Sequence, residues 1–318
     1  MKRLLSIIIL LLALLLIIRG WWISNLSPVG LDQTTKTIII AKGKSSNEIA
    51  DQLKKENLIK SSFVFSLYVR QQGLSDKLSA GTFKLSPSMS TPEIIKQLAG
   101  QPSETWVTLI EGWRIEEMAD EINSKFKIQN SKFLAIAKEG YMFPDTYLFP
   151  NEVTAEQIVK ILRDNFEKKF TPELRLKVKA LGLTENQAVI LASIVEREAR
   201  SDKVRTEVAS ILLKRFKIDM GLNADATVQY ALGYQSDEKS WWKRHLTKDD
   251  LKVDSPYNTY LYRGLPPAPI ANPGLSSLQA VANADPTTPY LYYYHDSKGN
   301  SYYGRTLEEH NQNVANNP

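Results

Sequence analysis

The sequence predicts an α+β fold with a single N-terminal transmembrane helix, a small α+β module, and a larger mixed domain with helical support and functional loops. Three observations predict it. An uninterrupted apolar run spans residues 4–18. Short β-branched segments alternate with capped helices over residues 37–101, and a mainly helical stretch over residues 154–218 gives way to loop-rich sequence. The predicted boundaries are 1–23 for the anchor, 24–36 for a linker, 37–101 for the module and 102–318 for the larger domain.

The N-terminal apolar run is flanked by Lys2 and Arg3 on one side and by Arg19, Trp21 and Trp22 on the other. The bare run is short for a hydrocarbon core of about 30 Å at about 1.5 Å per residue. It becomes long enough if Arg19 snorkels and the tryptophans lie in the far interface. A cleaved signal peptide is the alternative, but no A-x-A site follows the run. We therefore expect a single-pass cell-membrane protein whose bulk lies outside the cytoplasm.

Composition excludes several classes of function. The formal net charge is +5, and no basic run with interleaved aromatic residues indicates a nucleic-acid partner. The chain has no cysteine, which excludes disulfides, thiol catalysis and cysteine-based zinc sites. The three histidines, His245, His295 and His310, are far apart in sequence and have no ligand spacing. The sequence therefore predicts no metal site, no histidine-based triad and no cofactor.

The module is predicted from strand and helix-start signals. Ser45 and Glu48 form a capping box after a turn at Gly43, and Thr91-Pro92 starts another helix. A faint repeat relates residues 38–53 to residues 107–122, and both duplication and coincidence would explain it. The predicted elements are a strand at 37–41, helices starting near 45, at 62–71 and from 91, a strand at 81–85, and an aromatic, proline-punctuated loop at 139–150.

One glutamate lies on a face that should be buried. Thr184 and Gln187 predict a helix start, and Val189, Ala192 and Glu196 then share one helical stripe. Burial would raise the pKa of the Glu196 carboxyl, as a general acid for glycosidic cleavage requires. Glu198 lies about 200° away around the same helix and is expected to face solvent.

These acidic residues also fit simpler structural roles. Glu196 could mark a helix that reaches the surface, and Arg200 could pair with it and lower its pKa. A conventional glycosidase also needs a second carboxylate, and neither Asp202 nor Asp225 lies in a recognisable pair motif. Asp225 also fits the N-cap of a helix starting at Ala226.

Two later loops have the chemistry of a sugar site. Residues 255–260 (SPYNTY) combine tyrosine, asparagine and threonine, and residues 264–270 (GLPPAPI) form a stiff loop. Sugars stack on aromatic faces and bond to amides and hydroxyls. As isolated turns, segments of this kind are more often structural than functional.

Five segments in order resemble the MltG-type endolytic murein transglycosylases, also called the YceG-like family. They cover nearly the whole chain together with the anchor and the module. The segments are EGYMFPDTYLFP at 139–150, LASIVERE at 191–198, LNADATVQYAL at 222–232, SPYNTY at 255–260 and GLPPAPIANPG at 264–274.

The resemblance implies a LysM-like, glycan-binding module and a lytic transglycosylase that cuts within nascent peptidoglycan strands to leave 1,6-anhydromuramyl ends. By the same resemblance the general acid, later the base, is Glu196. Asn258, Thr259 and Tyr260 are implied as groove residues, and Asp225 and Glu198 as supporting polar residues. The implied partners are glycan strands, the membrane and peptidoglycan synthases, with a role in terminating glycan polymerisation. A peptidoglycan hydrolase on the same site and a non-catalytic wall-binding scaffold are the alternatives.

Overall fold

The computed structural model describes residues 2–100, 103–199 and 201–317. The chain divides into two compact units, Met1–Val107 with Leu148–Glu152, and Thr108–Tyr147 with Val153–Pro318. The elements that begin in the first unit are α1 Lys2–Leu26, β1 Lys36–Ile40, α2 Ser46–Lys55, α3 Ser62–Gln71, β2 Gly81–Leu85, α4 Thr91–Ala99 and β3 Glu104–Thr108.

Helix α1 contains a stretch that is long and apolar enough to span a membrane. That stretch is Ile7–Leu26, with a mean hydropathy of 2.5 and no part buried inside the protein. It is consistent with the predicted single-pass anchor. The helix continues to Leu26, three residues beyond the predicted end of the anchor at residue 23. Hydrogen bonds from Lys60 Nζ to Ser24 O and to Ser27 Oγ tie this end of the helix to the module.

The module has the predicted order of strand, two helices, strand and helix. Strand β1 pairs antiparallel with β2, and β2 pairs antiparallel with β3. The capping boxes at Ser45 and Ser90 are both formed, since each hydroxyl and carboxyl satisfies otherwise unpaired backbone groups. The helices bury their apolar stripes against the sheet in a core that includes Leu53, Phe65 and Leu85. The module is therefore an α+β unit with a hydrophobic core of its own.

The second unit is mainly helical. Its elements are α5 Ile115–Phe126, α6 Asn130–Leu134, β4 Thr146–Pro150, whose residues 148–150 belong to the first unit, α7 Ala155–Lys169, α8 Pro172–Ala180, α9 Glu185–Glu198, α10 Asp202–Lys217, α11 Asp225–Leu232, α12 Leu275–Ala282, β5 Tyr292–His295, β6 Ser301–Gly304 and α13 Leu307–Asn316. Strands β5 and β6 form a separate antiparallel hairpin. The helical stretch after residue 154 is confirmed. The expectation of a loop throughout 139–150 was wrong, because residues Thr146–Pro150 form strand β4, along which buried and more exposed side chains alternate.

Helix α9 lies at the centre of this unit. All eight residues from Ala188 to Val195 are buried. The helix packs on α8, α10, α11 and α12, and its apolar residues form the middle of the larger core. Burial of this kind contributes about 25 cal/mol for each Å² of apolar surface removed from water. Helix α9 is therefore a rigid support for the side chains of its C-terminal turn.

Candidate active site

The last turn of α9 carries two glutamates that point to different surroundings. The predicted capping box at Thr184 starts the helix, so the register of the following residues is fixed. The apolar run then ends at Val195, and Glu196, Arg197 and Glu198 follow in the helix. The contacts of Glu196 and Glu198 decide which carboxyl can do chemistry.

Glu196 is enclosed by partners. Its side chain is 4% exposed and its Oε1 accepts a hydrogen bond from Arg205 Nη2 at 3.0 Å. Its Oε2 accepts the backbone N–H of Gly274 at 2.8 Å. Arg200, which sequence analysis offered as a partner, lies outside the described residues, and Arg205 of α10 fills that role. Both carboxylate oxygens of Glu196 are therefore engaged with hydrogen-bond donors of the protein itself.

Because Gly274 has no side chain, a second acidic residue, Glu111, lies against it and close to Glu196. A side chain at Gly274 would collide with the carboxyl of Glu111, which lies against it. Burial, and then the neighbouring charge of Glu196, raise the pKa of Glu111. Glu196 is thus part of a packed cluster that joins α9, α10, the Glu111 turn and the Gly274 loop.

Glu198 has different surroundings. It is partly buried, and its Oε2 accepts a hydrogen bond from the hydroxyl of Tyr293 at 3.1 Å. Burial, and then the charge of Asp225, raise its pKa to about 7. The expectation that Glu198 faces solvent was wrong, because the hairpin β5–β6 and the first turn of α11 cover this side of α9. A carboxyl with this pKa retains its proton for a large fraction of the time near neutral pH.

Glu198 lies at the junction of two open cavities. The first has a volume of about 470 Å³ and is lined by Glu198, Arg215, Asn223, Asp225, Tyr260, Tyr292, Tyr293, Tyr294, His295, Leu307 and His310. The second has a volume of about 440 Å³ and is lined by Arg197, Glu198, Ser201, Val204, His295, Asp296, Ser297, Gly299 and Ser301. Glu198 and His295 belong to both linings. A ligand in either cavity would therefore lie close to Glu198 and His295.

The first cavity has the character of a carbohydrate site. Four tyrosines line it, and their rings offer apolar faces while their hydroxyls offer hydrogen bonds. The charged groups of the lining are Arg215, Asp225 and Glu198. Among the described residues, no group of three or more histidine, aspartate or glutamate side chains is arranged to hold a metal ion.

Asp225 and Tyr260 meet in this cavity. The Tyr260 hydroxyl donates to Asp225 Oδ1 at 2.6 Å. Burial, and then this bond to an acidic acceptor, raise the pKa of Tyr260. Asp225 is not the N-cap of α11, because Ala224 occupies that position and Asp225 lies in the first helical turn. Its carboxylate is therefore available to the cavity.

Asn258 and Thr259 have another role. Asn258 is fully buried, and its Nδ2 donates to the carbonyls of Leu251 and Val253. Thr259 is 2% exposed, and its hydroxyl accepts from Ala224 N and bonds to the Thr227 hydroxyl. Neither side chain lines the first cavity, and both are buried behind it. They hold the Tyr260 loop against the start of α11, and so place Tyr260 and Asp225 together.

The buried carboxyl of Glu139 helps to hold the loop that contains Gly274, through its contact with Asn272. Glu139 Oε1 accepts from Asn272 Nδ2 at 2.8 Å, and Asn272 Oδ1 accepts from the amides of Gly140 and Met142. Glu139 also accepts from the Ile115 amide at the start of α5. Burial raises the pKa of Glu139 to about 8. This network connects the 139–150 segment to the loop whose Gly274 amide binds Glu196.

Comparison with known proteins places the chain in a family. The model of the YceG-like family matches residues 38–316. The chain belongs to the YceG-like family. A protein of Bacillus subtilis strain 168 named endolytic murein transglycosylase is 34% identical over 91% of this chain and 87% of its own length. A protein of the same name from Streptococcus pneumoniae D39 is 29% identical over 88% of this chain, which spans 58% of that longer protein.

A solved structure shares the fold. The 2.6 Å crystal structure of a YceG-like protein from Listeria monocytogenes has a TM-score of 0.64 and 30% identity to this chain. The match covers 88% of this chain and 99% of that one. The α+β architecture described above is therefore the architecture of the YceG-like family.

In this YceG-like protein, Glu198, Asp225 and Tyr260 line the first cavity, whereas Glu196, Asn258 and Thr259 do not. Sequence analysis missed the contributions of the β5–β6 hairpin and of His310 on α13. The signal for the hairpin in the sequence is the aromatic segment at 290–294, whose composition is typical of a strand. His295 and His310 are far apart in sequence, yet both line the first cavity.

Proposed function

We propose that this protein is an endolytic peptidoglycan lytic transglycosylase, a lyase, that cleaves the MurNAc–GlcNAc bond within nascent glycan strands and leaves 1,6-anhydroMurNAc ends. Membership of the YceG-like family and the names of its relatives support the general activity. The observation that carries the mechanism is the Glu198 carboxyl at the junction of two open cavities, one of them rich in tyrosine. We assign the general acid and base to Glu198.

The proposed reaction needs one carboxyl that first donates and then accepts a proton. Glu198 protonates the glycosidic oxygen as the bond to the muramyl anomeric carbon breaks, and the bonding electron pair leaves with that oxygen. The muramyl C6 hydroxyl then attacks the anomeric carbon and gives its proton to Glu198. No water is consumed, and the enzyme returns to its starting protonation state. A pKa near 7 suits both steps.

The assignment departs from the family resemblance, which implied Glu196. The carboxyl of Glu196 is held by Arg205 and by the Gly274 amide, and Glu196 lines neither of the two cavities. Glu198 has a single side-chain partner among the described residues, Tyr293, and lines both cavities. Geometry therefore favours Glu198, and Glu196 becomes the residue that anchors the Gly274 loop.

The remaining parts of the chain fit this activity. Helix α1 would hold the enzyme at the membrane with its catalytic domain on the extracytoplasmic side, where new strands emerge. The module at 37–101 would be a LysM-like glycan-binding domain. Cleavage close to the site of polymerisation would end strand growth, and peptidoglycan synthases are the partners that this role implies.

Product analysis tests the reaction. The full chain in detergent is incubated with un-crosslinked glycan strands, and the products are separated and weighed by mass spectrometry. We expect internal fragments with anhydromuramyl ends. Reducing ends, which are 18 Da heavier through addition of water, would show a hydrolase at the same site. Intact strands that the protein nevertheless binds would indicate a wall-binding scaffold.

A further inference from the structure

The first turn of α11 brings a second carboxylate to Glu198. The backbone N–H of Ala226 bonds to the Glu198 carboxyl, and Asp225 is the preceding residue in the chain. Both carboxyls line the 470 Å³ cavity. Two acidic groups held this close have unequal proton affinities, because the ionisation of one opposes the ionisation of the other.

The surroundings decide which of the two holds the proton. Asp225 accepts the Tyr260 hydroxyl at 2.6 Å and lies at a helix N-terminus, and both contacts stabilise a negative charge. Glu198 is the one whose pKa is raised, first by burial and then by Asp225. Glu198 is therefore the carboxyl of the pair that carries the proton.

The neighbouring arginine does not neutralise the pair. Arg215 donates to the carbonyls of Leu291 at 2.6 Å and Leu222 at 2.7 Å, and its guanidinium lies 5.0 Å from the centre of the Tyr292 ring. Within the described part of the chain, neither Asp225 nor Glu198 makes an ion pair. The other titratable or charged groups in the linings of the two cavities are Arg197, Arg215, Tyr260, Tyr292, Tyr293, Tyr294, His295, Asp296 and His310.

We propose that Asp225 is the second carboxylate of the site, whose charge keeps the proton on Glu198 before cleavage and stabilises the positive charge that develops on the reacting sugar. This inference rests on the proposed function. Asp225 forms no bond to the sugar, since the C6 hydroxyl closes the ring. The two carboxyls thus have separate roles set by their surroundings, as in other carbohydrate-cleaving sites.

Asp225→Asn in the full chain tests the inference. Asparagine keeps an oxygen that accepts the Tyr260 hydroxyl and removes only the charge. We expect kcat to fall about 100-fold, the scale of one lost electrostatic contact to a transition state, with a small change in KM. The alkaline limb of the pH profile reports loss of the Glu198 proton. It should move to lower pH by about one unit, because removing a nearby negative charge lowers the Glu198 pKa.

Two further variants separate charge from structure. Asp225→Glu restores the charge and should recover part of the lost kcat. Tyr260→Phe leaves the charge in place and should lose less activity than Asp225→Asn. Melting temperatures of all variants are compared with wild type to exclude unfolding as the cause.

The outcomes distinguish this inference from the proposed function. Wild-type kcat and an unmoved alkaline limb in Asp225→Asn would overturn the role of Asp225 even if Glu198→Gln is inactive. A loss confined to KM, or one that follows a lowered melting temperature without recovery in Asp225→Glu, would also overturn it. Activity retained in Glu198→Gln would instead refute the proposed function itself.

Discussion

The contacts of Glu196 predict that its replacement damages stability more than chemistry. Glu196→Gln removes the charge that faces Arg205, whose side chain is 12% exposed while that of Glu196 is 4% exposed. Removing one partner of a buried ion pair costs about 3–5 kcal/mol. The lower end applies, because Arg205 keeps the exposed Asp202 as a partner at 3.2 Å and glutamine can still accept the Gly274 amide.

A loss of about 3 kcal/mol should lower the melting temperature by about 6–12 °C in a unit of this size. Thermal unfolding of the full chain in detergent measures this shift, and product formation is followed well below the lower melting temperature. We expect turnover within about threefold of wild type under those conditions. The reasoning is refuted if Glu196→Gln melts like wild type and makes no product.

Glu185→Gln is the matched control for this experiment. It makes the same substitution at the other end of α9, where Glu185 is 55% exposed and pairs with Arg175. An exposed ion pair contributes about 0–1 kcal/mol, so the melting temperature should scarcely change. A comparable drop in both variants would mean that the enclosure of Glu196 has no special effect.

Three other substitutions test the supporting structure. Glu139 has a folded-state pKa of about 8, above its ordinary value of 4.5, so its contribution to the free energy of unfolding is complete below pH 4.5 and is lost as the pH rises through 8. Glu139→Gln should flatten that decline in denaturant titrations between pH 5 and 9. An unchanged dependence of the free energy of unfolding on pH would contradict the burial argument. Asn258→Ala should cost about 1–3 kcal/mol through the unpaired Leu251 and Val253 carbonyls, whereas a stable variant with a tenfold higher KM would return Asn258 to the groove. Gly140→Ala should fold poorly, because Gly140 has a φ of +85° and a Cβ there would lie 2.5 Å from Pro269 Cγ. Gly182→Ala is the control, because Gly182 has a φ of +76° in open space and should lose only about 1–2 kcal/mol of the free energy of unfolding. Equal melting temperatures of the two variants would refute the steric reason.

The helices and strands of the module were predictable because their signals are local. The start of α2 is fixed by contacts between Ser45 and Glu48, three residues apart. In the second unit, Thr184 and Gln187 fix the start of α9 in the same way. Strand β4 was missed because the aromatic and proline residues of 139–150 resemble a loop until a neighbouring strand supplies its hydrogen bonds. Local sequence patterns were therefore sufficient to predict most of the order of helices and strands.

The site was harder to predict because its members meet only in three dimensions. Helical geometry correctly placed Glu196 on the buried face and Glu198 on another. It could not show that Arg205 neutralises the first or that Tyr293 and Asp225 enclose the second. The segment SPYNTY contains Tyr260, which lines the first cavity, but only the fold shows that Asn258 and Thr259 turn inward.

The most direct test of the account compares Glu198→Gln with Glu196→Gln at a temperature where both are folded, using release of anhydromuramyl products from glycan strands. We predict that Glu198→Gln forms no such products although it still binds the strands, and that Glu196→Gln retains near wild-type turnover. The opposite result, an active Glu198→Gln and a folded but inactive Glu196→Gln, would contradict the assignment of the acid and base to Glu198.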